Sequence, residues 1–371
     1  GMGNLAAFIE SFAQNPSFRP RFKYYHWAPA LAGAAACAAT AFLINVTAAA
    51  TAAAVLGVLY VALRRKVLTS RFGDARWGFI FSRLRDNMLR LSKIPATSKN
   101  WRPTILVMIG NPETRYTLAM YALWIGAQRG LVTLARVLVG ELAHLVNHRK
   151  AAVEQLQSFL RENDFEALST VVVSRDLDDG LSALLQGYPL GPIKPNVVLL
   201  GWSAEHARAD SFVHHLHSAK HLGMSLLLLK DKGLPPATCR RRIDIWWRGR
   251  DNGSLMVLLA HLLTLHYEWS QAQIRLLRLI QDEAGRQPAD QALRQLLDAA
   301  RLTAQVQIIV SKDAFAKVLH RHSGDASVVF LGFTVCPEED AQTFQANFEN
   351  LLAGLPTTLL VCSSGQADLL A

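Results

Sequence analysis

Read for hydrophobic and polar positions, the chain changes character twice. Trp27–Leu63 is a run of 37 residues without a charge, "WAPALAGAAACAATAFLINVTAAATAAAVLGVLYVAL". As one helix it would reach about 55 Å, nearly twice the ~30 Å hydrocarbon core of a bilayer. Two helices with a turn near Asn45-Val46-Thr47 fit the length better. Residues 74–94 then place Trp77, Ile80, Phe81, Leu84, Met88 and Leu91 at helical spacing, with Arg76, Arg83, Arg85 and Arg90 between them. This predicts an amphipathic basic helix that docks on a globular domain or, as the second choice, lies on anionic headgroups. "PATSKNWRP" follows as a linker.

Beyond residue 102 the pattern alternates short β-rich apolar runs with helical periodicity, which predicts a mainly parallel α/β sheet. Five runs, "PTILVMIG" (103–110), "LVTLARVLVG" (131–140), "LSTVVVSR" (168–175), "NVVLLGW" (196–202) and "SLLLLKD" (225–231), are answered by five more. These are "IDIWWRG" (243–249), "QIRLLRLI" (273–280), "AQVQIIVS" (304–311), "SVVFLGF" (327–333) and "TTLLVC" (357–362). "VVLLGW" and "VVFLGF" nearly repeat each other, so we read an internal duplication of a five-stranded unit, in one sheet or two. The expected segments are 1–26 (end of a membrane helix plus a basic loop), 27–66 (a two-helix membrane hairpin), 67–102 (connecting helix and linker), 103–236 (first half) and 237–371 (second half).

Charge sharpens this division. Residues 1–100 carry 13 Lys and Arg against 3 Asp and Glu, while the remaining 26 basic and 26 acidic residues cancel. The net +10 therefore belongs to the N-terminal segment and not to the folded α/β region, which argues against a nucleic-acid partner. The aromatic and basic stretch "NPSFRPRFKYYHW" (15–27) and the cluster Arg64-Arg65-Lys66 flank the uncharged run on both sides. Both flanks favour the cytoplasmic side, so an even number of crossings is expected. The alternative is an alanine-rich helical hairpin buried in a soluble protein. Since alanine is weakly apolar, the hairpin is expected to pack against further membrane helices, and "LAAFIES" (5–11) reads as the end of one. "GMGNLAAFIESF" lacks the basic region of a signal peptide, and Gly1 suggests a chain cut from something longer or an added residue. The sequon at Asn45 is read as incidental. Cys37, Cys239, Cys336 and Cys362 lie far apart, as expected of reduced buried thiols.

Chemistry is sparse. No Walker A, GxGxxG, HExxH or GxSxG motif is present. His214, His217 and His221 share a helical face where a divalent metal could bind, though no cysteine or carboxylate is evidently placed beside them. His144 and His148 form another i, i+4 pair; exposed helical histidines are the alternative. Ligands of such sheets bind at the carboxyl ends of strands beside the switch in strand order. That makes Gly110, Asn111, Gly201, Trp202 and Gly332 the candidate binding residues, with Ser203, Gly249, Arg250, Phe333 and Thr334 beside them. Ordinary turn glycines are the alternative. Trp246 and Trp247 should face opposite sides of a strand. Asp251-Asn252-Gly253-Ser254 reads as a turn and N-cap for a helix beginning near Leu255.

The order of "NPSFRPRFKYYHW", the two-helix run, "NWRPTILVMIGNPETR", "VLVG" and "IDIWWRGRDNGSLMVLLAHLL" resembles the cation–chloride cotransporters. The likeness is firm at residues 15–140 and 243–263 and looser elsewhere. It implies the C-terminal part of a secondary symporter: the end of the tenth of twelve membrane helices, the last two helices, and a cytoplasmic domain. That domain would be a duplicated module related to universal stress proteins, serving regulation and dimerisation without catalysis. The implied partners are the rest of the membrane bundle, membrane lipid and a second copy. The implied location is the inner membrane, with residues 64–371 cytoplasmic. No ion ligand transfers to these residues. Nucleotide-binding stress proteins carry a Gly-x2-Gly-x9-Gly-Ser/Thr run after the fourth strand; here "GWSAEHARADS" and "GFTVCPEEDAQ" lack the second glycine. No cofactor is therefore expected, and ATP is only a secondary candidate. The alternative function is a membrane-tethered nucleotide sensor.

Overall fold

The structure, a computed structural model, describes residues 1–12, 26–64, 75–95, 97–127, 129–203, 205–236 and 240–370. Most of the basic and aromatic stretch 15–27, Arg65, Lys66 and Cys239 lie outside them. The chain forms two compact units, Gly1–Pro95 and Ala96–Ala371.

The first unit is helical. It contains α1 (Met2–Phe12), α2 (Trp27–Ile44), α3 (Val46–Arg64) and α4 (Ala75–Leu91). The break falls within the expected turn. Asn45 is extended (φ −154°), which ends α2. Its side-chain Oδ1 accepts Thr47 Oγ1 at 2.8 Å and the Ala48 N–H at 3.0 Å, so one residue closes α2 and caps α3. α2 is long and apolar enough to cross a membrane and none of it is buried; the apolar part of α3, Val46–Leu59, is shorter. Phe8 and Phe12 of α1 pack on Trp27 with ring centroids 5.9 and 5.7 Å apart. Cys37 is exposed, unlike the buried thiol expected there. On α4, Trp77, Ile80, Phe81, Leu84 and Leu91 are exposed.

The second unit alternates strand and helix: β1 (Thr104–Met108), α5 (Tyr116–Gly126), β2 (Leu131–Val139), α6 (Leu142–Glu162), β3 (Leu168–Ser174), α7 (Leu177–Gly187), β4 (Val197–Gly201), α8 (Ala209–His221) and β5 (Ser225–Lys230). The order then repeats as β6 (Arg242–Trp246), α9 (Arg250–Thr264), β7 (Gln273–Ile280), α10 (Arg286–Ala299), β8 (Gln305–Val310), α11 (Phe315–Ser323), β9 (Val328–Gly332), α12 (Ala341–Leu352) and β10 (Thr358–Cys362). The described strands form one sheet, ordered β3-β2-β1-β4-β5-β10-β9-β6-β7-β8. Each half is parallel, and the halves join where β5 and β10 pair antiparallel, with Leu228 opposite Leu360. The duplication is thus realised as one continuous sheet.

Burial on both faces explains the near-continuous apolar strands. In β5, Leu227 and Leu229 face the layer of α5, α6, α9 and α10, whereas Leu226 and Leu228 face α7, α8, α11 and α12. Trp246 and Trp247 divide as expected: Trp246 enters the second layer against Phe315, and Trp247 enters the first. α9 begins at Arg250 and not near Leu255. Gly253 permits the early start, because a Cβ there would sit 2.5 Å from the Trp247 ring.

Candidate functional site

Two crevices lie where the sheet's order switches, between β1 and β4 and between β6 and β9. In the first, Gly110 and Asn111 are exposed at the end of β1. Asn111 accepts the Glu113 N–H at 3.1 Å, closing its own turn. Across the crevice, the exposed Arg115 lays its guanidinium over Gly201; a Cβ at Gly201 would lie 2.5 Å from Arg115 Nη1. Trp202, the next residue, turns away from the opening. Its ring is buried among Phe212, Phe344 and Phe348, and its Nε1–H donates to Glu349 at 2.7 Å. Lys230 reaches the same carboxylate at 2.8 and 2.9 Å. Gln345 donates to the Ser203 carbonyl at 2.6 Å. The loop after β4 is therefore fastened to α12 of the other half.

The second crevice is occupied by protein. Asn252 donates to the Phe333 carbonyl at 2.8 Å and accepts the Ser363 N–H at 2.8 Å, tying the ends of β9 and β10 together. A Cβ on Gly332 would meet Asn252 Cβ at 3.0 Å. Beyond Phe333, the short turn Glu338–Asp340 is acidic at all three positions. The predicted residues thus divide: Gly110, Asn111 and Gly201 lie at the first crevice beside Arg115, Trp202 packs, and Gly332 lies beneath Asn252.

The helical histidines also serve the junction. His214 Nδ1 lies 3.1 Å from Glu338 Oε1, and His217 donates through Nε2 to the Cys336 carbonyl at 2.7 Å. His221 lies beside His217, with ring centroids 6.2 Å apart. The buried His215 instead donates to Asp178 at 2.9 Å. Hydrogen bonds from Ser211 and His215 hold the Asp178 carboxyl below its usual range. No group of three or more His, Cys, Asp or Glu side chains is placed to hold a metal ion among the described residues.

On the opposite face, Trp124 donates to Glu268 Oε1 at 3.2 Å and Arg241 to Glu268 Oε2 at 2.7 Å. The Arg241 guanidinium lies over both Trp124 and Trp269. Tyr121 is buried beside them, and loss of water pushes its phenol well above the usual value. A cleft of about 620 Å³ opens next to this cluster, bordered by Asp164, Glu166, His266 and Glu268, away from the strand-end crevices.

Sequence reading missed the buried pair of the second half. Asp244, fully buried on β6, takes Arg275 of β7 at 2.8 and 2.6 Å and the Ser323 hydroxyl at 2.7 Å. Its signal was present: charges inside the apolar runs "IDIWW" and "QIRLLRLI" demand partners where they are buried.

The sequence matches the profile of solute carrier family 12 over residues 115–235 and 236–323, more than half of the chain. The cytoplasmic domain of a prokaryotic cation chloride cotransporter is similar at 17% identity and a TM-score of 0.52, the match covering 73% of this chain and 99% of that one. A universal stress protein from Archaeoglobus fulgidus DSM 4304 aligns over 71% of this chain and 97% of its own, at 8% identity and a TM-score of 0.48. By the extent of the profile match, this chain is a member of solute carrier family 12.

Proposed function

We propose that this chain is the C-terminal membrane hairpin and the cytoplasmic regulatory and dimerisation domain of a cation–chloride symporter, without catalysis of its own. The observation that carries this is the family match through residues 115–323, across a unit whose fold is that of a cotransporter's cytoplasmic domain. Three features support it. An apolar helix pair precedes the α/β unit, and α2 has the length and composition to cross a bilayer. The basic residues cluster on both sides of that pair, which favours residues 64–371 on the cytoplasmic side of the inner membrane. Polar side chains at the strand ends, Asn252 and Gln345, are engaged in joining β9 to β10 and one half to the other, which supports a role in contact. The domain acts by shape and contact, with the remaining membrane helices and a second copy as partners.

The test is rubidium uptake by cells producing the complete gene product. The expected result is uptake that requires chloride and falls to background when gluconate replaces it. Uptake indifferent to chloride would overturn the reading.

A further inference from the structure

The ten-stranded sheet ends in two open edges, β3 and β8, and they are treated differently. The Gly140 N–H donates to the Ser174 carbonyl, so Ser174 faces β2 and, by alternation, Val171 faces outward. The outward carbonyl of Val171 is capped by Arg149 Nε at 3.1 Å. On the other edge, Ser311 N–H donates to the Ile280 carbonyl. Gln307 and Ile309 therefore face β7, and Val306, Ile308 and Val310 turn their N–H and C=O groups outward. Among the described residues no side chain caps them. The strand "QVQIIV" holds no charge and no proline, which are the usual guards of a free edge.

α10 overhangs this edge. A groove of about 570 Å³ runs between them, lined by Glu283, Arg286, Asp290 and Arg294 above and Val306 and Ile308 below. The charges read minus, plus, minus, plus along the chain. Their present pairs, Glu283–Arg286 at 2.9 Å and Asp290–Arg294 at 2.6 Å, lie at the surface, with only Asp290 half-buried, and cost little to exchange.

We propose that β8 and α10 form the surface through which two copies of this chain pair. A two-fold axis through Ile308 lets Ile308 exchange both hydrogen bonds with its copy, and Val306 do so with Val310 of the other. The same axis lays the two α10 helices antiparallel about two strand spacings apart, ~10 Å, which is a normal helix contact distance. Glu283 then faces Arg294 of the copy, and Arg286 faces Asp290. The order is self-complementary only in the antiparallel sense, so the helices and the strands call for one arrangement. This deepens the dimer part of the proposed function by naming its surface.

The test is sedimentation equilibrium of the full chain in detergent, with hydrogen exchange read at residues 306–310. The unmodified chain is expected to dimerise, and exchange at Val306, Ile308 and Val310 to slow as concentration rises. Ile308→Pro removes an outward donor while sparing the bonds to β7, and should weaken pairing about tenfold or more. Asp290→Arg sets two cations against each other and should also weaken it, whereas Arg286→Asp with Asp290→Arg should restore it. A dimer unchanged by Ile308→Pro and Asp290→Arg would overturn this surface while leaving dimerisation intact. A monomer from the unmodified chain would overturn both.

Discussion

The two halves of the sheet share one topology and differ in what they do with it. Strand pairing places Leu106 of β1, beside Thr133, at the position that Asp244 of β6, beside Arg275, holds in the second half. The first half fills that position with a hydrocarbon and the second with a buried ion pair. At the crevices, Arg115 lies over Gly201 on one side, while Asn252 is fastened over Gly332 on the other. At the edges, Arg149 caps β3 and nothing described caps β8. A duplicated unit has kept its strand order while its polar positions diverged, and at the crevices those positions carry contacts between the halves.

The largest effect should come from Asp244. Asp244→Leu leaves the Arg275 guanidinium without its carboxylate and should lower unfolding stability by about 3–5 kcal/mol, read from the denaturant midpoint. Transplanting the first half's pair, Asp244→Leu with Arg275→Thr, should recover most of that loss. No recovery would mean that the halves differ in more than this exchange. Next comes the junction itself: Trp202→Ala removes a buried ring and the bond to Glu349, and should cost about 3–5 kcal/mol. Glycines give a smaller and unequal effect. Gly332→Ala pushes against Asn252, held by two hydrogen bonds, and should cost about 1–3 kcal/mol. Gly201→Ala meets only the mobile end of Arg115 and should cost less than about 0.5 kcal/mol. Equal costs would erase the contrast between the crevices.

Acid should open the second half first. Burial, aided by Arg129, Arg241, or Arg275 and Arg321, holds His261, His266 and His322 below the usual histidine value. A group whose folded pKa is depressed binds its proton more readily when unfolded. Its contribution is therefore present above the unfolded value of about 6.5 and is lost as pH falls through the folded one. Asp178 in the first half follows the same sign, but only below the unfolded value of about 3.9. Hydrogen-exchange protection, taken relative to the intrinsic rate at each pH, should fall first in α9 and α11 between pH 7 and 5; simultaneous loss across both halves would contradict this.

Much of the fold was legible in local pattern. The uncharged run between basic clusters announced the helix pair, and the break at Asn45 fell within the expected turn because a capping side chain stood there. Two near-identical fourth strands announced the duplication. The single sheet was not legible: β5 and β10 are apolar on both faces, a pattern that fits a neighbour of either direction. The early start of α9 is not legible because Asn252 bonds to the ends of β9 and β10, far along the chain, and Gly253 lies against the Trp247 ring. Trp202 and Gly332 were identified as strand-end positions, yet what covers them comes from elements far along the chain.

The central claim, a cytoplasmic domain hung from a membrane hairpin, is tested most directly by labelling with a membrane-impermeant maleimide. Two positions decide it, Cys37 within α2 and a cysteine placed by Glu154→Cys at an exposed position of α6. The account predicts that position 154 reacts in inside-out vesicles and not in intact cells, and that Cys37 reacts in neither. Labelling of position 154 from outside the cell, or of Cys37 in intact membranes, would contradict it.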